Sequence, residues 1–151
     1  MDTTLSIVLI VGLVALASAV GLIWRATRSR VSTPSGSERA VRVPSRYLAA
    51  GKTLTLLQVS APLCSYCGAM RGILGSASTR ESNAGHVEYD VSEIPEVIES
   101  FTIRRTPTTL LVSASGDVLF TLQGPTPPGV VSDHIQRAFA EIQRRSDDYL
   151  I

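Results

Sequence analysis

A run of twenty residues without one charged side chain, Leu5 to Trp24 (LSIVLIVGLVALASAVGLIW), constrains this chain more than any other feature of its sequence. As a helix rising ~1.5 Å per residue it matches the ~30 Å hydrocarbon core of a bilayer. We therefore expect a single N-terminal transmembrane helix over about 5–24 within an anchor of residues 1–30. A cleaved signal peptide is the competing reading, because Ala17-Ser18-Ala19 resembles a small-residue cleavage site. The residues before the run favour a retained anchor, since MDTT carries Asp2 and neither Lys nor Arg. Trp24 suits a membrane interface, and Arg25, Arg28 and Arg30 follow at once, so the positive-inside asymmetry places the C-terminal part in the cytoplasm. An extracytoplasmic domain is the alternative, reached if a helper or a processing step overrides that one asymmetry.

The remainder reads as a tether, one domain and a short tail. Residues 31–45 (VSTPSGSERAVRVPS) are rich in Ser, Pro and Arg and lack apolar periodicity, as a tether would, although Val41 to Val43 could begin an edge strand. The arginines there either touch anionic lipid or simply fix topology. Residues 46–145 form the expected domain and 146–151 a tail that frays, with no role assigned to Tyr47 or to SDDYLI. Fourteen basic against thirteen acidic residues leave a formal charge of +1, too little for the single-sign field that nucleic acid binding requires.

Within the domain two periodicities alternate, which indicates an α/β fold. Thr53 to Ser60 (TLTLLQVS) is a near-continuous apolar and β-branched run suited to a central strand covered on both faces. Cys64 to Ser78 follow as a helix that depends on packing, because Gly68, Gly72 and Gly75 each cost ~1 kcal/mol relative to Ala. Val87 to Val91 alternate as a second strand, and Ile94 to Phe101 form a short amphipathic helix. Thr108 to Val112 and Val118 to Leu122 are antiparallel strands joined at Ser113-Ala114-Ser115-Gly116-Asp117. The last helix, after Pro127, Pro128 and Gly129, carries an apolar stripe at Val131, Ile135, Ala138, Phe139 and Ile142 that covers the sheet.

The only two cysteines, Cys64 and Cys67, stand three positions apart at the strand-to-helix junction. There the unsatisfied N–H groups and positive dipole end of a helix favour thiolate over thiol, so Cys64 is the candidate nucleophile. One turn on, Cys67 can attack a mixed disulfide held on Cys64, the resolving step of thiol–disulfide exchange. A purely structural disulfide is a poor alternative, since closing four residues removes little unfolded-chain entropy. Zinc would need His86 and His134 as further ligands, at separations that match no compact finger. Met70 follows the pair instead of preceding it, against a copper-shuttling loop. No metal is expected. His86 in a polar loop and His134 opposite the apolar stripe read as surface histidines.

Residues 53 to about 142 resemble a thioredoxin-family domain: a strand, Ala61-Pro62-Leu63-Cys64-Ser65-Tyr66-Cys67, a helix, Val87-Glu88-Tyr89-Asp90-Val91, Pro95, and Phe101-Thr102-Ile103-Arg104-Arg105-Thr106-Pro107-Thr108. The specific part is the spacing from the cysteines to Thr-Pro-Thr at a strand start, then to a Ser-Gly-Asp hairpin and Gly124. The resemblance implies a thioredoxin-like fold, a central mixed β-sheet flanked by helices, and thiol–disulfide oxidoreductase activity through Cys64 and Cys67. Their own disulfide is the redox group, with no other cofactor. It implies a cis Thr106–Pro107 bond facing the cysteines, with the Thr106 backbone free to pair with an extended substrate segment. Gly124 would let its loop approach a docked partner, although an ordinary turn glycine and an ordinary strand-start proline explain Gly124 and Pro107 equally well. The partner implied is a protein disulfide or dithiol, with an electron donor the sequence does not name.

Two residues depart from the family pattern. Leu63 stands where thioredoxins usually carry Trp, which removes a flat contact surface. Gln58, six residues before Cys64, stands where they carry a buried Asp; a glutamine cannot accept a proton, so slower resolution is expected. Ser65-Tyr66 provides no histidine beside Cys64, which tilts the expectation towards a reductase or a moderate exchanger over a strong oxidant. Besides the extracytoplasmic alternative, serving disulfides of envelope proteins or cytochrome maturation, a non-catalytic docking module that uses the groove near Pro107 is the reading from another class.

Overall fold

The computed structural model describes residues 3–27, 31–32 and 41–148, with side chains for all of these except 3–6, 9, 22–27 and 31–32. The chain divides into two units, residues 1–30 and residues 31–151. The first contains helix α1, Thr3–Thr27, 25 residues and so longer at both ends than the charge-free run. Its described side chains are all exposed, including Val8, Leu13 and Leu16, and the Ser18 hydroxyl donates back to the Val14 carbonyl at 2.8 Å. Among the described residues, no helix is long and apolar enough to cross a membrane. On α1 the described side chains are residues 7, 8 and 10–21. Arg28 and Arg30, and the side chains of Trp24 and Arg25, on which the expected orientation rests, lie outside the described residues.

The second unit is built on a five-stranded mixed sheet. Its strands are β1 (Val31–Ser32), β2 (Leu54–Ser60), β3 (Ala84–Asp90), β4 (Thr108–Ser113) and β5 (Val118–Gln123), in the order β1-β5-β4-β2-β3. Only the β2–β3 pair is parallel. Helices α2 (Cys67–Arg80), α3 (Pro95–Ser100) and α4 (Pro128–Asp148) complete it. All seven residues of β2 are buried, as its apolar run requires. Leu54 and Leu56 join Met70 and Leu74 of α2 and Ile135 of α4 in one cluster, whereas Leu57 and Val59 join Ile94 and Val97 around α3 in another. This alternation puts Gln58 and Ser60 in the row that faces α2.

The structure revises several expected boundaries. The helix begins at Cys67, not Cys64, because two tight turns come first, with the Cys64 N–H on the Ala61 carbonyl and the Cys67 N–H on the Cys64 carbonyl, each at 3.3 Å. The expected tether is partly domain: Val31 and Ser32 pair with Leu122 and Thr121, and Val43 is only 2% exposed. Val41 to Val43 form no strand; Val43 instead donates one backbone hydrogen bond to Gly116 at 2.8 Å. Residues 33–40 lie outside the described residues. Tyr47, in a 3-10 turn at Ser45–Tyr47, packs edge-on against Tyr89 with centroids 5.3 Å apart. At the other end α4 runs to Asp148, so 146–148 of the expected tail are helical, and 149–151 lie outside the described residues.

His134 is not a surface residue. It is 7% exposed, donates from Nδ1 to the Val130 carbonyl at 2.7 Å and meets the Phe120 ring edge-on. Three residues after Val131 and four before Ala138, it belongs to the buried face of α4.

The hairpin glycine Gly116 has φ +88°, and a Cβ there would lie 2.5 Å from the Val43 carbonyl oxygen. Gly116→Ala should therefore lose ~1–3 kcal/mol in urea unfolding. Gly72→Ala in α2, where a Cβ meets nothing within 4 Å, should gain ~0.5–1 kcal/mol.

Candidate redox site

Strand β2 ends at Ser60, and the chain turns through 61–66 before entering α2 at Cys67. Cys64 and Cys67 are joined as a disulfide, S–S 2.01 Å, with Cα atoms 5.5 Å apart. Their environments differ. Cys64 is partly exposed on the turn, whereas Cys67 is 5% exposed as the first residue of the helix. The first turn of α2 contains no acidic residue of its own, so the positive helix end favours a thiolate on reduction. Leu63, fully exposed with φ +63°, and Tyr66, 58% exposed, flank the exposed cysteine. A leucine in the left-handed region is uncommon, and here it turns an apolar side chain out to solvent.

Strand register brings the other expected residues to the same end of the sheet. Thr108 pairs with Val59 on one side and with Gln123 on the other, so Pro107 and Gly124 both lie where β2 delivers the cysteines. The Thr106–Pro107 bond is cis, Gly124 has φ +83°, and the Gly124 N–H donates to the Pro107 carbonyl at 2.7 Å. The Thr126 N–H reaches Met70 Sδ at 3.3 Å and so ties this loop to α2. Among the described residues, Thr106 makes no backbone hydrogen bond.

Behind Cys67 lies a polar network. The Gln58 side chain, with no exposed surface, shares the two hydrogens of Nε2 among three acceptors, the Cys67 carbonyl at 2.9 Å, Ser60 Oγ at 3.1 Å and Glu88 Oε1 at 3.3 Å. Its Oε1 accepts from His86 Nε2 at 3.2 Å. Glu88 Oε1 also accepts from Ser60 Oγ at 2.5 Å and from an Arg71 terminal nitrogen at 3.0 Å, while Arg71 Nε bonds Oε2. Among the described residues the one buried side-chain polar atom without a partner, Thr109 Oγ1, belongs to the residue paired with Gln58 across β4.

His86 is therefore a half-buried strand residue, not the polar-loop residue expected. Sequence reasoning missed Ser60, Arg71, His86 and Glu88. The signal available was the alternation in β3, where Glu88 falls opposite Val87 and Tyr89; that the opposite face lies under α2 is visible only once β3 pairs in parallel with β2. Among the described residues no group of His, Cys, Asp or Glu is arranged to hold a metal ion.

Electrostatics in the network are set by few contacts. Hydrogen bonds from Arg71 hold the Glu88 carboxyl below its ordinary value, against desolvation, with Ser60 assisting. Burial pushes the His86 imidazolium down, the Glu88 charge opposing and the Arg71 charge reinforcing. Since the folded-state value is the lower one, the unfolded chain binds that proton first. The stability from His86 is therefore complete above its ordinary value of 6.5 and lost as pH falls through the folded-state value. Stability against urea should fall on acidification from about pH 7 to about pH 5, and His86→Gln should flatten that segment; an unchanged slope would remove His86 as the cause. Glu88 adds its own loss only at more acidic pH, below its ordinary 4.5.

The thioredoxin family model matches residues 45–137. No curated protein matches the chain significantly. Among solved structures, a mutant thioredoxin from Halobacterium salinarum superposes with a TM-score of 0.52 at 18% identity, covering 58% of this chain and 75% of that one. Oxidised mitochondrial thioredoxin 3 from Saccharomyces cerevisiae gives 0.51 at 20% identity, covering 58% and 80%. At these identities the likeness shows the fold, whereas the family match spans more than half of the chain and includes both cysteines. The chain belongs to the thioredoxin family and is a thiol–disulfide oxidoreductase, with the disulfide-bonded pair Cys64 and Cys67 inside the matched residues.

Proposed function

We propose that the chain is a membrane-tethered reductase of protein disulfides. The observation that carries the chemistry is the unequal exposure of the two cysteines, one partly exposed on a turn and the other buried at the helix start. In the dithiol form, the Cys64 thiolate attacks a partner disulfide. A Cys64–partner S–S bond forms, and the partner's other sulfur leaves as a thiolate and takes a proton from solvent. Cys67 then loses its proton and attacks the Cys64 sulfur, forming the intramolecular disulfide and releasing the second partner sulfur as a thiolate that is protonated in turn. Two electrons pass from the cysteine pair to the partner, and a separate dithiol reductant must return them.

The reducing direction is supported by the absence of a histidine beside Cys64, which leaves the thiolate one cation short of what a strong oxidant uses. An extended partner segment is supported at Thr106 by its unengaged backbone beside Pro107 and by the Gly124 turn. Tethering is supported by the charge-free run from Leu5 to Trp24 in the sequence and by the exposure of the described apolar side chains of α1. Arg25, Arg28 and Arg30 after the run support a cytoplasmic domain.

Cys67→Ser should accumulate a mixed disulfide with a protein partner that reductant releases, and Cys64→Ser should form none. Full activity of Cys64→Ser in cells would instead indicate a docking module. The chain should sediment with membranes, and an impermeant thiol reagent should label it in lysed cells only; labelling of intact cells would reverse the orientation.

A further inference from the structure

The buried network behind Cys67 has a feature that exchange chemistry does not by itself require: a full ion pair joined to the resolving cysteine through one neutral carboxamide. Gln58 cannot change charge, yet its Nε2 is hydrogen-bonded both to the Cys67 carbonyl and to Glu88 Oε1. Arg71 lies four residues after Cys67 on α2, hence on the same helix face, and bonds both oxygens of that carboxylate. An anion and a cation thus stand beyond Gln58 from Cys67, the anion mostly covered and the cation open to water. We propose that Glu88 and Arg71 are opposed positioning residues that set how readily Cys67 ionises, Glu88 holding it as a thiol and Arg71 limiting that effect.

The inference rests on the exchange reading above. During resolution Cys67 loses a proton to solvent and its sulfur displaces the partner thiolate from Cys64, so the rate of release follows the fraction of Cys67 present as thiolate. Which member of the pair dominates is decided by screening. The Arg71 side chain is 62% exposed and that of Glu88 only 19%, so water weakens the cation's field more than the anion's and the net effect disfavours the Cys67 thiolate. Other charged groups around the site are few. His86 on β3 meets Gln58 through Nε2 and is neutral at pH 7, its imidazolium disfavoured by burial. Strands β2 and β4 carry no charged residue. Arg104 and Arg105 are exposed on the loop to Pro107, and α4 reaches the far end of α2 through Gln136 and Glu81. This arrangement gives the neutral Gln58 a function: it transmits position while the charge stands one residue further away, on a neighbouring strand.

The test uses full-length protein carrying Cys64→Ser, so that Cys67 is the only thiol, with its ionisation read from thiolate absorbance and from alkylation rate against pH. Glu88→Gln should move the titration to lower pH and raise the thiolate fraction near neutrality about threefold to tenfold. Arg71→Gln should move it the opposite way, and Glu88→Asp should stay near the parent. With both cysteines restored, release of a small aromatic thiol from its mixed disulfide with Cys64 should be faster in Glu88→Gln and slower in Arg71→Gln. A ring that is merely structural would shift both variants in one direction, and that result, or no shift in either, overturns the proposal. Failure of the parent protein to react with the aromatic disulfide would instead remove the exchange reading, while the Cys67 titration would still decide the roles of Glu88 and Arg71.

Discussion

Everything at the redox site hangs on burying β2 on both faces. A strand without exposed surface must satisfy its backbone on both edges, and here β3 in parallel on one side and β4 antiparallel on the other do so along nearly its whole length. The parallel partner requires a crossover, and α2 fills it, so the turn from strand to helix falls necessarily at one end of the sheet. The antiparallel partner begins at Thr108, opposite Val59, and places Pro107 beside that same turn. Two cysteines and a proline some forty residues apart come to the same end of the sheet because one strand has no open edge.

The same burial governs the electrostatics. The α2-facing row of β2 runs Leu54, Leu56, Gln58, Ser60, apolar at its start and polar where it reaches Cys67. An isolated charge at the buried position of Gln58 would carry a large desolvation penalty. The chain puts a carboxamide there, with both ends hydrogen-bonded, and keeps its ionised groups on Glu88 and Arg71 where water still reaches part of the pair. The result is a buried Cys67 whose carbonyl is held by a neutral side chain that is itself hydrogen-bonded to an ion pair.

The two surfaces around the site have different characters. Outward, Leu63 and Tyr66 present apolar area beside the accessible sulfur, and Thr106 presents an unengaged backbone. Inward, the contacts are hydrogen bonds of fixed direction. The exposed residues and the network behind Cys67 share no side chain.

The sequence determined the local elements and the chemistry. An unbroken β-branched and apolar run reads as a covered strand, and a Cys-x-x-Cys pair at its exit lies at a strand-to-helix junction, because these properties depend on near neighbours along the chain, although the helix expected from Cys64 starts at Cys67 and leaves Cys64 on a turn. It misplaced residues whose role depends on what packs above them. Val43 read as tether although its neighbour in space is Gly116, His134 read as surface although it lies under the buried face of α4, and His86 and Glu88 read as ordinary polar positions. Alternation in a strand tells which residues share a face, but not whether that face meets water or a helix. Only the tertiary structure decided that the Glu88 face of β3 lies under α2, and with it which charges stand behind Cys67.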